Sequence, residues 1–237
     1  MTWKVRIIGD PRDLDDLHQS FASGAIFIEK NGIHEYYLIS DAFQDYTNDI
    51  DVSEKASQLI SLISGASRLA LGGNIPIAQS ETVKVKEDGT ELVFMHLQET
   101  LQVRDSSHLA IIDDEGNVVK EIKPADEVPN WVELGLQHES VAKVFRLYTQ
   151  SLDWVGLYRI YEVIENDMGG LDALVSNGWA VKSKVKLFKH TSNSPGAIGD
   201  GARHGKESSQ PPQQPMHLHE ARNLVESLIS SWLKSKQ

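Results

Sequence analysis

The first third of the chain switches between short strand-like runs and longer helix-like ones. "WKVRIIG", residues 3 to 9, has the density of branched residues expected of a strand. Asp10 then offers a helix N-cap and Pro11 a first helical residue, so the pattern predicts a helix through about Phe21. "AIFIEKNGIHEYYLIS" places Asn31-Gly32 between two apolar runs, a hairpin signal. In "SEKASQLISLISGASRLAL" the apolar residues Ala56, Leu59, Ile60, Ile63 and Ala66 recur at a helical period, and Gly72-Gly73 is expected to stop that helix. "ETVKVKEDGTELVFMHL" alternates and turns at Asp88-Gly89; "HLAIIDDEGNVVKEI" repeats the pattern around Glu115-Gly116. Successive hairpins with two helices predict an α+β fold for residues 1–122, with a mostly antiparallel sheet.

After "KPADEVPN", residues 123–130, the strand signals stop. Two prolines among polar residues predict a linker there. From 131 to 237 the pattern predicts a helical bundle. One helical stretch runs from Trp131 to Tyr148 with a break near Gln137, and another from Leu152 to Met168, ended by Gly169-Gly170. A short helix over Leu171 to Ser176 and a basic one from about Ala180 to His190 follow. In the last helix, Leu218, Ala221, Leu224, Val225, Leu228, Ile229, Trp232 and Leu233 fall on one stripe. That stripe and the broad apolar face of the 152–168 helix predict a homodimer through helical faces. Between the last two helices lies a long Gly/Ser/Pro/Gln-rich loop at about 191–216, with "SSQPPQQP" expected to be mobile and the part before it ordered by its surroundings.

Charge refines this division. The net charge of −11 argues against general nucleic-acid binding, because phosphate backbones are held mainly by lysine and arginine. The distribution is uneven, however. Lys182, Lys184, Lys186, Lys189, Arg203 and Lys206, opposed only by Asp200, give the 182–206 segment +5 and leave −16 on the rest. The absence of cysteine excludes disulfides, thiolate metal sites and cysteine nucleophiles. "MTWKVRIIGD" lacks the apolar stretch of a secretory signal and no run of about 18 apolar residues occurs, so the expected setting is cytoplasmic, with no membrane span.

Phosphate-loop, zinc-protease, nucleophile-elbow and calcium-loop patterns are all missing. The acidic set Asp41, Asp45, Asp49 and Asp51 fits a solvated face better than a cation loop. His217 and His219 diverge at the start of the last helix and would need further ligands to hold zinc, so neither a metal nor any other cofactor is expected. The remaining candidate is "FKHTSNSPGAIGDGARHGK". His190 and Asn193 stand at one end, Arg203 and His204 at the other, and four intervening or flanking glycines let the ends meet. Cleaving RNA without a metal needs a base for the 2′-hydroxyl, an acid for the leaving oxygen and a cation for the phosphorane charge. Histidine and arginine suit these tasks. Lys182, Lys184, Lys186 and Lys189 are the matching candidates for phosphate binding. The competing reading has Arg203 paired with a carboxylate and His204 bonded to its own turn.

A helical C-terminal half with "RHG" ahead of the long amphipathic helix "HLHEARNLVESLISSWL" resembles the HEPN superfamily. That resemblance implies a small helical bundle and, in many members, a metal-independent ribonuclease of toxin or defence systems that acts as a dimer; other members are non-catalytic. The usual signature is an arginine with a histidine four to six residues further on, often followed by glycine. Here His204-Gly205 match in place and Arg203 directly adjoins the histidine. The expectation is therefore an RNA-binding or RNA-cleaving protein, the alternative a non-catalytic module whose bundle mediates self- or partner association.

Overall fold

The computed structural model describes residues 2–71, 76–95, 110–112, 118–121, 127–207 and 210–237. The expected stop at Gly72-Gly73, the turn at Glu115-Gly116, linker residues 123–126 and Ser208-Ser209 of the polar loop lie outside the described residues. By its internal packing the chain divides into two compact units, residues 1–133 and 134–237.

The first unit is α+β. Strands β1 (Thr2–Ile8), β2 (Ile26–Asn31), β3 (Glu35–Ser40), β4 (Ala78–Val85) and β5 (Glu91–Met95) form one antiparallel sheet in the order β2-β3-β1-β4-β5. Trp3, Val5 and Ile7 of β1 alternate as buried residues, the period-two pattern of a strand with one face on the core. Helix α1 (Pro11–Ser20) packs against β2, and α2 (Asp49–Leu71) against β4 and β1. Asp10 caps α1 by accepting from the Arg12 N–H at 3.0 Å, with Pro11 at the first helical position. Both short hairpins turn at a glycine with positive φ, 71° at Gly32 and 80° at Gly89. The third hairpin does not join this sheet. β6 (Ala110–Ile112) and β7 (Val118–Glu121) make a separate two-stranded ribbon.

The 123–130 segment is less of a linker than its prolines suggest, because Val128–Asn130 already form the first turn of α3 (Val128–Gln137). Pro129 sits where a helix leaves its N–H groups unpaired, so it costs the helix nothing there. The division between the units falls within this helix.

The second unit is helical: α4 (Glu139–Tyr148), α5 (Trp154–Asp167), α6 (Leu171–Ser176), α7 (Lys182–Ser192), the single turn α8 (Pro195–Ile198) and α9 (Leu218–Lys234). Helix α5 is the hub, with α4, α7 and α9 packed on it. Leu157, Ile160, Tyr161 and Ile164 of α5 are fully buried, as are Val225, Leu228, Ile229, Trp232 and Leu233 of α9. Much of each apolar stripe is thus covered within the single chain, while Leu218 and Leu224 of α9 are half-buried. Asp153 caps α5 by accepting from the Gly156 N–H at 2.8 Å, which holds its carboxyl below the usual carboxylate range. A side chain at Gly156 would collide with the Ser151 carbonyl, so this tight entry to the helix requires glycine.

Candidate functional site

The site grows from α5. Trp154, Tyr158 and Glu162 are spaced i, i+4, i+8 and form one straight row along the helix. Segment 199–205 lies along that row. Gly201 sits against the Trp154 ring. The Arg203 guanidinium lies over the Tyr158 ring, 4.4 Å from its centroid, and its Nη2 donates to Glu162 Oε1 at 3.0 Å. The Arg203 backbone N–H donates to the Ser192 carbonyl at 2.8 Å. Three contacts therefore fix this arginine: a stacked face, an ion pair and a backbone bond. Below it, Tyr158 stacks on Phe188 of α7, with centroids 5.8 Å apart.

His204 is exposed, and its Nε2 lies 3.4 Å from Arg203 Nη1. Arginine can only donate, so Nε2 is the unprotonated nitrogen in this arrangement. An exposed imidazole beside an anchored guanidinium sets a proton-transfer group and a fixed cation at one place.

The two ends of the glycine-rich stretch do meet, through the backbone bond from Arg203 to Ser192. The four side chains do not all converge. The His190 Nε2–H donates to the Gln210 carbonyl at 2.9 Å. Asn193, the residue after α7, donates its amide to the Lys189 carbonyl at 2.7 Å, and its Oδ1 is buried without a hydrogen-bond partner. His190 thus ties α7 to the polar loop, and Asn193 closes the C-terminal turn of α7. The four lysines also divide. Lys182 donates to Asp172 at 2.6 Å, an ion pair that holds that carboxyl below its usual range. Lys189 reaches Glu165 at 3.2 Å and lies 5.2 Å from the centre of the Tyr161 ring. Glu165 also accepts from the Tyr161 hydroxyl at 2.7 Å, and burial, together with that carboxylate, drives the phenol pKa far upward. Lys184 and Lys186 remain exposed on α7.

The long polar loop is stitched down at several further points. Glu207 Oε2 accepts from Ser194 Oγ at 2.9 Å and from the Gly196 N–H at 2.6 Å. Gly196 packs so tightly against Pro211 that a side chain there would overlap the proline ring. The Met216 N–H donates to the buried Thr191 hydroxyl at 3.1 Å. Glu207→Ala is expected to leave Ser194, which is buried, and the Gly196 N–H without their acceptor. The expected cost is about 1–2 kcal/mol, confined to this segment. Limited trypsin digestion checks it: cleavage after Arg203 and Lys206 becomes faster than in wild type, whereas Glu207→Gln keeps most of the protection.

Three contributors escaped the sequence reading: Tyr158, Glu162 and Glu207. Tyr158 belongs to the apolar face of the 152–168 helix, and the two glutamates carry no local signal at all. Glu162 also lines an open groove of about 290 Å³ with Glu139, Ser140, Lys143, Val163, Asn166 and Asp167. His217 and His219 stack nearly parallel with centroids 5.6 Å apart, and His217 serves as the N-cap of α9. No group of three or more metal-binding side chains occurs among the described residues, and no described helix is long and apolar enough to cross a membrane. No protein-family model, curated protein or solved structure matches this chain.

Proposed function

We propose that the second unit binds RNA along the exposed face of α7 and the adjoining 199–206 segment, and that His204 and Arg203 cleave it without a metal. The observation that carries this reading is the anchored Arg203 guanidinium placed against the exposed His204 imidazole. Lys184 and Lys186 supply phosphate contacts. His204 takes the 2′-hydroxyl proton as that oxygen attacks the adjacent phosphorus and the bond to the 5′ oxygen breaks. Arg203 offers charge to the phosphorane oxygens. With His190 turned to Gln210, the leaving oxygen takes its proton from water or from the same imidazole once it is charged.

Binding is tested by titrating single-stranded RNA with the protein at increasing salt. Each phosphate contact on a single strand contributes roughly −0.7 to the slope of log affinity against log salt. Lys184→Ala with Lys186→Ala is expected to reduce that slope by about 1.4 and to weaken binding at every salt concentration. A slope indistinguishable from zero in wild type removes the RNA reading.

One observation favours a second reading. Glu162 already meets the charge of Arg203, and His190 and Glu207 bond to the loop backbone, so the same geometry suits a rigid, non-catalytic surface for a protein partner. In that case RNA binds weakly or not at all, and the loop acts as a scaffold.

A further inference from the structure

Among the described residues, strand β5 is an edge without the usual protection. It pairs with β4 on one side, and on the other no strand lies beside it among the described residues. Leu92, Val93 and Met95 are 39%, 50% and 79% exposed, on both faces of the strand. Edge strands are normally guarded by a central charge, a proline or a bulge, because unpaired N–H and C=O groups invite another strand. In "ELVFM" the only charge is Glu91 at one end, and Lys4 holds it at 2.7 Å. The opposite edge is guarded: β2 ends in Glu29-Lys30-Asn31, Lys30 is bound to Asp15, and α1 packs on that strand.

We infer that β5 pairs antiparallel with β5 of a second copy about a two-fold axis, joining two five-stranded sheets into one. The strand is its own complement. With the axis at Val93, Glu91 faces Met95 of the second copy, Leu92 faces Phe94, and Val93 faces itself. This register uses all five residues, keeps the two glutamates apart and matches apolar with apolar in its three central pairs. Moving the axis to Leu92 or Phe94 loses pairs at one end. A five-residue edge is small against the roughly 1,200–2,000 Å² of a stable interface, so the pairing is reversible and concentration-dependent.

The chain contains no cysteine, so Val93→Cys introduces a single thiol. Residues opposed across an antiparallel pair have Cα atoms about 4.5–5.5 Å apart, within the roughly 4.4–6.8 Å that a disulfide spans. Mild oxidation of Val93→Cys is expected to give a covalent dimer, while Glu87→Cys in the exposed β4–β5 turn gives little at the same concentration. Val93→Lys sets like charges face to face and is expected to raise the dimer dissociation constant about tenfold in sedimentation velocity, with unchanged far-UV circular dichroism. Equal cross-linking at positions 87 and 93, a wild type that sediments as a monomer at every concentration, or a Val93→Lys variant that associates like wild type overturns the inference.

Discussion

His204→Ala is expected to lower the rate of RNA cleavage at least about a hundredfold while leaving RNA affinity unchanged, since removing a general base costs roughly 10²–10⁴ in rate. The side chain is exposed and supports no other element, so the variant folds as wild type does. The phosphate contacts assigned to Lys184 and Lys186 are untouched. Arg203→Ala behaves differently. It removes the cation next to His204 and also uncovers the Tyr158 face and leaves Glu162 without its partner, so both binding and cleavage fall. Arg203→Lys keeps the charge but loses the flat stack on Tyr158 and the planar group that reaches Glu162 and His204 together, and is expected to recover binding more than rate. The assay uses total cellular RNA with and without EDTA. Cleavage by wild type that EDTA abolishes, or equal cleavage by His204→Ala, removes the proposed chemistry. Salt-sensitive binding without cleavage leaves an RNA-binding protein. Neither activity leaves the partner-binding reading.

The elements of this fold were legible because each is specified by residues close in sequence. Asp10-Pro11 caps its helix, Asn31-Gly32 and Asp88-Gly89 turn their hairpins, and the α5 and α9 stripes follow the helical period. The site was only half legible for the same reason. Arg203 and His204 stand out as a pair, but the ring and carboxylate that hold the arginine lie on another helix, Glu162 being 41 residues away. A carboxylate on a helix surface looks the same in sequence whether or not an arginine docks on it. The lysines illustrate the limit in reverse. Lys182, Lys184, Lys186 and Lys189 form one basic run in the sequence, yet the helical turn directs Lys182 to Asp172 and Lys189 to Glu165. Periodicity likewise says that a stripe is buried without saying what buries it. In the structure α4, α7 and α9 pack on α5, and the exposed apolar residues of the first unit include those of β5, where the alternation pattern gave no warning.

Phe188→Ala is expected to be the most damaging single truncation near the site. The Phe188 ring is fully buried and touches three others: Tyr158 at 5.8 Å, Trp154 at 6.3 Å and Tyr161 at 5.7 Å between centroids. Two of these contacts are stacked and one is edge-on, so a smaller residue cannot be compensated by a slight shift of one neighbour. Removing a buried phenyl group costs about 3–5 kcal/mol in lost transfer energy and residual cavity, a large share of the roughly 5–15 kcal/mol that holds a typical domain folded. Urea unfolding followed by circular dichroism measures this as a lower midpoint with an unchanged slope. Phe188→Leu fills most of the cavity and is expected to recover more than half of the loss. The site should respond beyond global stability. Phe188 stacks on the Tyr158 ring over which Arg203 lies, and its carbonyl accepts from the Ser192 hydroxyl at 2.8 Å, in the residue whose carbonyl binds the Arg203 N–H. Hydrogen exchange at the Arg203 amide should therefore speed up in Phe188→Ala more than exchange in α9, which packs on α5 and makes no ring contact with Phe188. A loss below about 1 kcal/mol, or equal acceleration at both places, would show that the aromatic cluster does not hold the arginine in position.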